Sequence, residues 1–206
     1  TNNSYFLDET LYPLRYRKAY YDCQKFVKHN LKSLKNQKFI FFPLLTEPEI
    51  AIHSVADDFF FQLSAINMLA RDLPADYVIV VKEHLLALGR RPRDFYLQIA
   101  DLKNVLLVDP VDIGLEYIKR CNAVACITGT AAWEAAVIGK PVISFSENNS
   151  INILDHVFYV HDNRNLRPIF DEIDKSNYPN KKSIFDGAKF FRAFQEKLFI
   201  MKNFNY

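Results

Sequence analysis

Thr128-Gly129-Thr130, followed by Ala131-Ala132-Trp133-Glu134, is the stretch of this sequence best suited to meeting an anion. An apolar run ends there, a glycine allows close approach to the backbone, and a helix-forming segment opens with hydroxyls. The start of a helix offers unpaired N–H groups and the positive end of the peptide dipole, which together stabilise a phosphate or carboxylate. Glu134, one turn in, can accept hydrogen bonds from ribose hydroxyls. A plain crossover helix with Glu134 as a solvated acid explains the same residues, and this stretch alone does not choose. It is not a Walker A loop and lacks GxGxxG, so those cofactor classes lose support.

Lys82-Glu83-His84 is the second such place. His84, just past an apolar strand, can donate to a phosphate, and Lys82 can add charge. The alternative is a polar strand end with His84 satisfied by a backbone carbonyl. Arg90 and Arg91 can grip a phosphate or an acidic sugar, although adjacent arginines commonly face solvent. Glu47 and Glu49 alternate so that both point to one side of an extended chain and can serve a sugar's hydroxyls. The remaining histidines, His29, His53, His156 and His161, show no metal-ligand spacing. Neither do Cys23, Cys121 and Cys126, whose odd count fits a reducing, cytoplasmic setting better than a disulfide framework. No Ser-His-Asp or Cys-His set assembles, so no metal and no cofactor is expected and no catalytic residue is named.

These residues need a frame, and the sequence supplies one. Apolar runs of strand length stand at 39–42, 77–81, 105–108, 123–127 and 142–145, with a short candidate at 157–160. Between them run helical stripes: Val55, Phe59, Leu63, Ile66 and Ala70, ahead of Pro74; a segment at 93–101; Leu115 and Ile118, with Asp112 as a capping residue; and 130–138, closed by Gly139 with Pro141 beyond. Ser54 and Asp57 form a capping-box-like pair ahead of the first stripe. Strand–helix alternation at this spacing predicts right-handed βαβ units and a Rossmann-like parallel sheet flanked by helices over 39–145. Ligands of such sheets bind outside the carboxyl ends of the strands, which is where both anion-ready stretches fall.

The flanks read less simply. Over 1–38 an arm leads into a helix with apolar Tyr20, Cys23, Val27, Leu31 and Leu34. Lys25, Lys28, Lys32 and Lys35 form a second stripe, either a solvated face or a surface for anionic lipid headgroups. After 145 come loop-formers, including Asp162 and Asn163, and then a stripe of Phe191, Phe194, Leu198 and Met201. Those phenylalanines pack either on this sheet or on a further domain. The expected division is therefore 1–38 and 39–206.

Composition narrows the class. Of 206 residues, 50% are hydrophobic and 24% charged, with 5 Gly and 9 Pro, which excludes long disorder and collagen-like or low-complexity chains. No apolar run approaches the roughly 20 residues of a membrane-spanning helix. A net charge of +2 gives no sign of nucleic-acid binding. Starting at Thr1 within a Tyr-rich stretch and without a leader, the chain is expected to be part of something longer.

Taken together, Phe-Phe-Pro-Leu at 41–44, Glu47-Pro48-Glu49, Val81-Lys82-Glu83-His84 and Gly89-Arg90-Arg91 resemble the capsule polysaccharide biosynthesis and export family. So do Asn104-Val105, the run from Ile127 to Ala135, and Gly139-Lys140-Pro141-Val142-Ile143. The resemblance implies one half of a GT-B glycosyltransferase, two Rossmann-like domains facing a cleft, with the C-terminal one holding a nucleotide-sugar donor such as CMP-Kdo. It implies that His84, Thr128, Gly129 and Thr130 bind the donor phosphate and that Glu134 contacts its ribose. Leu85 replaces the family's proline after the histidine, Ala132 its second glycine, and Ser146 the glycine after the last strand. The implied activity is inverting, metal-independent transfer onto a growing glycan or lipid-linked acceptor, in the cytoplasm or at the inner membrane. A catalytic base is expected in an N-terminal domain outside this chain. A non-catalytic nucleotide- or glycan-binding module and a GT-B-shaped nucleotide-sugar epimerase are the competing readings.

Overall fold

The computed structural model describes residues 3–46, 61–161 and 164–201. Glu47, Glu49, His53, the Ser54–Asp57 pair, Val55 and Phe59 lie outside the described residues, as do Asp162 and Asn163. Six apolar segments pair into one sheet: β1 (Lys38–Pro43), β2 (Tyr77–Lys82), β3 (Val105–Val108), β4 (Ala123–Cys126), β5 (Val142–Ser144) and β6 (Val157–Tyr159). Their spatial order is β3-β2-β1-β4-β5-β6, and every pairing is parallel. The helices are α1 (Asn3–Gln24), α2 (Gln62–Asp72), α3 (Phe95–Ala100), α4 (Gly114–Arg120), α5 (Thr130–Val137), α6 (Arg167–Lys175) and α7 (Lys181–Met201). This is the Rossmann-like sheet flanked by helices that the strand–helix rhythm implies.

The central strand explains its own composition. Ile40 and Phe42 turn to one face with Ile79, Val81 and Ala125, beneath Ile66 and Leu69 of α2 and Ile99 of α3. Phe39 and Phe41 turn to the other with Val80 and Val124, against Tyr117 of α4 and Ala132, Ala135 and Ala136 of α5. A strand covered on both faces needs apolar residues at every position, hence the uninterrupted Phe-Ile-Phe-Phe. Each such buried phenylalanine contributes about 1.5–3 kcal/mol. Phe41 also stacks on Tyr117, ring centroids 5.4 Å apart and planes within 14°.

The N-terminal segment departs from expectation. Its helix ends at Gln24, and the residues expected to continue the stripe do other work. Val27 forms a parallel bridge with Leu107 at the sheet edge, and Leu34 enters the second core. Asn30 and Ser33 bond each other's backbone amides through their side chains, each at 3.1 Å, a local arrangement that competes with helical bonding. Lys25, Lys28, Lys32 and Lys35 therefore share no helix face, and Lys25 pairs with Asp22 at 2.7 Å. The helical basis for adhesion to anionic lipid is absent. Asp112 departs too. It does not cap α4, whose N-cap position is Ile113; its carboxylate accepts the Tyr117 hydroxyl instead.

At the other end part of the phenylalanine stripe packs on α5, while Phe191 and Phe194 stay 39% and 43% exposed and the Leu198 and Met201 side chains lie outside the described residues. Phe190, Phe191 and Phe194 of α7 surround Trp133 of α5, with ring centroids 5.3, 5.9 and 4.9 Å from it. The helices approach closely because Gly187 has no side chain: a Cβ there would lie 2.5 Å from the carbonyls of Ala136 and Val137. Gly139 closes α5 in the left-handed region, φ +78°, as the sequence suggests. Among the described residues, no helix is long and apolar enough to cross a membrane.

Candidate functional site

The strand order reverses between β1 and β4, so the chain leaves their carboxyl ends toward opposite faces and opens a crevice. A cavity of about 270 Å³ lies there, its wall including Pro43, Lys82, His84, Gly114, Thr130 and Glu134. Four residues marked in the sequence, Lys82, His84, Thr130 and Glu134, thus meet at one place from two separate segments, the end of β2 and the start of α5.

α5 enters the site through Gly129, whose φ of +107° and ψ of 168° belong to a region that only glycine occupies without strain. A Cβ at this position would also lie 2.9 Å from Cδ2 of Leu45. No side chain caps the first turn of α5, so its amide donors remain directed at the crevice. Thr128 is half-buried immediately before this turn and Gly129 is exposed, but neither lines the cavity, whereas Thr130 and Glu134 are exposed and do.

His84 is exposed, and its Nδ1 accepts the backbone N–H of Leu86 at 3.2 Å, capping a single 3-10 turn over Leu85–Ala87. With Nδ1 committed as an acceptor, the proton of the neutral ring sits on Nε2, which is the tautomer that donates to an anion. Lys82 donates to the Pro110 carbonyl at 2.8 Å. Burial draws its pKa below the ordinary lysine value, opposed by the carboxylates of Asp112, Glu83 and Asp109.

The arginines fall elsewhere. Arg91 is a buried ion-pair partner outside this cavity's wall: its side chain is 3% exposed and lies 2.7 Å from the fully buried Glu83. It also donates to the Leu45 carbonyl at 2.6 Å and lies over the Phe95 ring. Arg90 is exposed and stacks its guanidinium 5.2 Å from the centre of the Tyr12 ring, away from the cavity wall. Glu83 is the residue that the sequence leaves without a role, and here it takes His84 N–H, Arg91 and Tyr96 together. Gln62, 1% exposed, is the other: it holds both the N–H and the C=O of Leu45.

The positions that depart from the family pattern are accommodated. Leu85 starts the 3-10 turn, Ala132 is fully buried in the second core, and the Ser146 carbonyl accepts bonds from Ser144 and Asn152. Cys23, Cys121 and Cys126 are all buried free thiols, and burial pushes each up to about 12, too high for a nucleophile. Among the described residues no group of three His, Cys, Asp or Glu converges as a metal site would.

Fold and site together define a doubly wound α/β protein with a crevice at its switch point. Residues 4–148 match the family model described as capsule polysaccharide biosynthesis protein, well over half of the chain. The chain belongs to that family. Among solved structures it is similar to the KpsC β-Kdo 2,7-transferase of Thermosulfurimonas dismutans, at 16% identity and TM-score 0.47 over 84% of this chain and 51% of that one. It is similar also to the UDP-GlcNAc 2-epimerase of Methanocaldococcus jannaschii in complex with UDP-GlcNAc and UDP, at 12% identity and TM-score 0.48 over 87% and 48%. A third is the wall teichoic acid polymerase TagF, at 13% identity and TM-score 0.41 over 93% and 50%. The chain spans about half the length of these structures. No curated protein matches it in sequence.

Proposed function

We propose that this chain is the donor-binding part of a glycosyltransferase of capsule or surface polysaccharide synthesis, taking a nucleotide-activated sugar whose first candidate is CMP-Kdo. The observation that carries the reading is the convergence of Lys82, His84 and the uncapped start of α5 on one cavity at the switch point. Membership of the capsule polysaccharide biosynthesis family supports it. In the reaction, an acceptor hydroxyl oxygen bonds to the sugar's anomeric carbon as the carbon–oxygen bond to the nucleotide phosphate breaks, and the hydroxyl proton passes to the catalytic base. Negative charge grows on that phosphate, where His84 Nε2–H, the Thr130 amide and hydroxyl and the helix dipole are preset to receive it. Lys82 adds positive charge from the neighbouring strand end, and Glu134 accepts from the ribose. This charge stabilisation asks for no metal.

At about 270 Å³ the cavity is smaller than the roughly 300–1,000 Å³ of complete small-molecule sites, so it suits the phosphate and ribose portion of the donor. The remaining contacts, the catalytic base and the glycan or lipid-linked acceptor belong to a facing domain in this proposal, working at the cytoplasmic side of the inner membrane. The test is calorimetric titration with CMP, CDP, UDP, GDP and ADP, on the wild type and on His84→Ala. Selective nucleotide binding that weakens at least about tenfold in the variant, or 1.4 kcal/mol, is the expected result. A flat titration with all five nucleotides sinks the reading; a uridine preference keeps a nucleotide site and replaces the cytidine donor.

A further inference from the structure

We propose that Glu83 is a positioning residue for the phosphate-facing groups of the cavity, acting through the backbone of His84 and, by way of Arg91, through Leu45; this rests on the donor-phosphate reading above. The Glu83 side chain is fully buried, yet its carboxylate is saturated with donors. Oε1 takes the His84 amide at 2.6 Å and Arg91 Nη2 at 2.7 Å; Oε2 takes Arg91 Nε at 2.8 Å and the Tyr96 hydroxyl at 3.0 Å. The same Arg91 Nη2 reaches the Leu45 carbonyl at 2.6 Å. Gln62 clamps Leu45 from the other side, accepting its N–H at 2.6 Å and donating to its carbonyl at 2.9 Å. The Leu45 side chain in turn abuts Gly129, at the entrance to α5. One connected set of polar groups therefore joins the segments that follow β1 and β2 to the start of α2, and the Leu45 side chain extends the contact to the segment that follows β4.

Stability alone does not account for such a pair. A buried ion pair is generally neutral or inferior to apolar side chains of similar volume, because both charges are stripped of water. What it supplies that apolar packing cannot is direction. The His84 amide is fixed by Glu83 Oε1, its backbone turns into the 3-10 segment, and its Nδ1 caps Leu86, leaving Nε2–H for the cavity. Loss of the carboxylate frees this turn even where the core remains packed.

The experiment compares wild type with Glu83→Gln, Tyr96→Phe and the double variant Glu83→Met/Arg91→Met, in which no unpaired charge is left in the core. Thermal unfolding checks that each variant still folds cooperatively. Nitrogen NMR of histidine-labelled protein at about pH 8, where an ordinary histidine is neutral, reads the tautomer of His84 without any ligand. Pyrophosphate is then titrated. The expected result is a single Nε2-protonated tautomer in the wild type and a mixture in the double variant, with pyrophosphate affinity at least about tenfold weaker. Tyr96→Phe, which removes one donor of four, falls between them. A double variant that folds, keeps one tautomer and binds pyrophosphate as the wild type does overturns the proposal. Should the double variant not fold, Glu83→Gln and Tyr96→Phe decide it by the same two readings. If the wild type ignores pyrophosphate, the donor-phosphate reading falls, while the ligand-free tautomer spectra still decide whether Glu83 orients His84.

Discussion

Asp72 shows how a single carboxylate can tie distant segments together and make stability depend on acid. Its Oδ2 accepts the buried Leu166 amide at 2.7 Å, joining the end of α2 to the approach to α6, while Arg71 grips both oxygens. The Arg71 bond, opposed by burial and helped by the Leu166 amide, holds the carboxyl below its ordinary value of 3.8. The folded state then binds fewer protons here than the unfolded chain, so this stabilisation is complete above 3.8 and is lost as the pH falls through the folded value. Asp72→Asn is expected to be less stable near neutral pH and to lose less stability than wild type on acidification, as urea midpoints from roughly pH 7 to roughly pH 3 will show. Lys82, His84, Thr130 and Glu134 were legible in the sequence because each sits beside a strand or helix boundary with its own local pattern. Arg91 was not: whether an arginine faces solvent or a buried carboxylate depends on which loops meet, and the Leu45 carbonyl it serves lies 46 residues away. Glu83 and Gln62 were hidden for the same reason.

Elements covered on both faces announced themselves through unbroken apolar runs, and all six strands stand where the runs are. The error at the N-terminus has the opposite cause. Tyr20, Cys23, Val27, Leu31 and Leu34 keep a helical spacing, yet the edge of β3 offers Val27 a backbone partner and the Asn30–Ser33 turn satisfies amides that a helix would use. Tertiary pairing overrides periodicity there. The docking of α7 on α5 gives an element-scale prediction with a built-in reporter, since Trp133 is the only tryptophan and lies among Phe190, Phe191 and Phe194. Gly187→Ala places a methyl group 2.5 Å from two carbonyl oxygens of α5. The helices must separate, so the variant is expected to shift tryptophan emission to longer wavelength and to lower the thermal midpoint. Unchanged emission would mean that the contact relaxes without undocking.

For the molecule as a whole, a parallel sheet in this order makes β1 the hub: it pairs with β2 on one side and with β4, some eighty residues later, on the other. Neither neighbour can be reached by a short turn, so the cavity exists only once the strands from both halves of the fold are in place. The class of fold could be read from the strand–helix rhythm, whereas the strand order that brings His84 beside Thr130 required the assembled sheet. Completion of that sheet also closes off the three thiols. Cys23 lies at the end of α1 in the core on one face of the sheet, while Cys121, just after α4, and Cys126, in β4, lie in the core on the other. An alkylating reagent can reach them only through openings of the native state, which turns the chain into three separate clocks. Read peptide by peptide in a mass spectrometer, Cys23 is expected to be modified first, as α1 lifts from the outer surface. Cys126, locked between β1 and β5, should keep time with global unfolding.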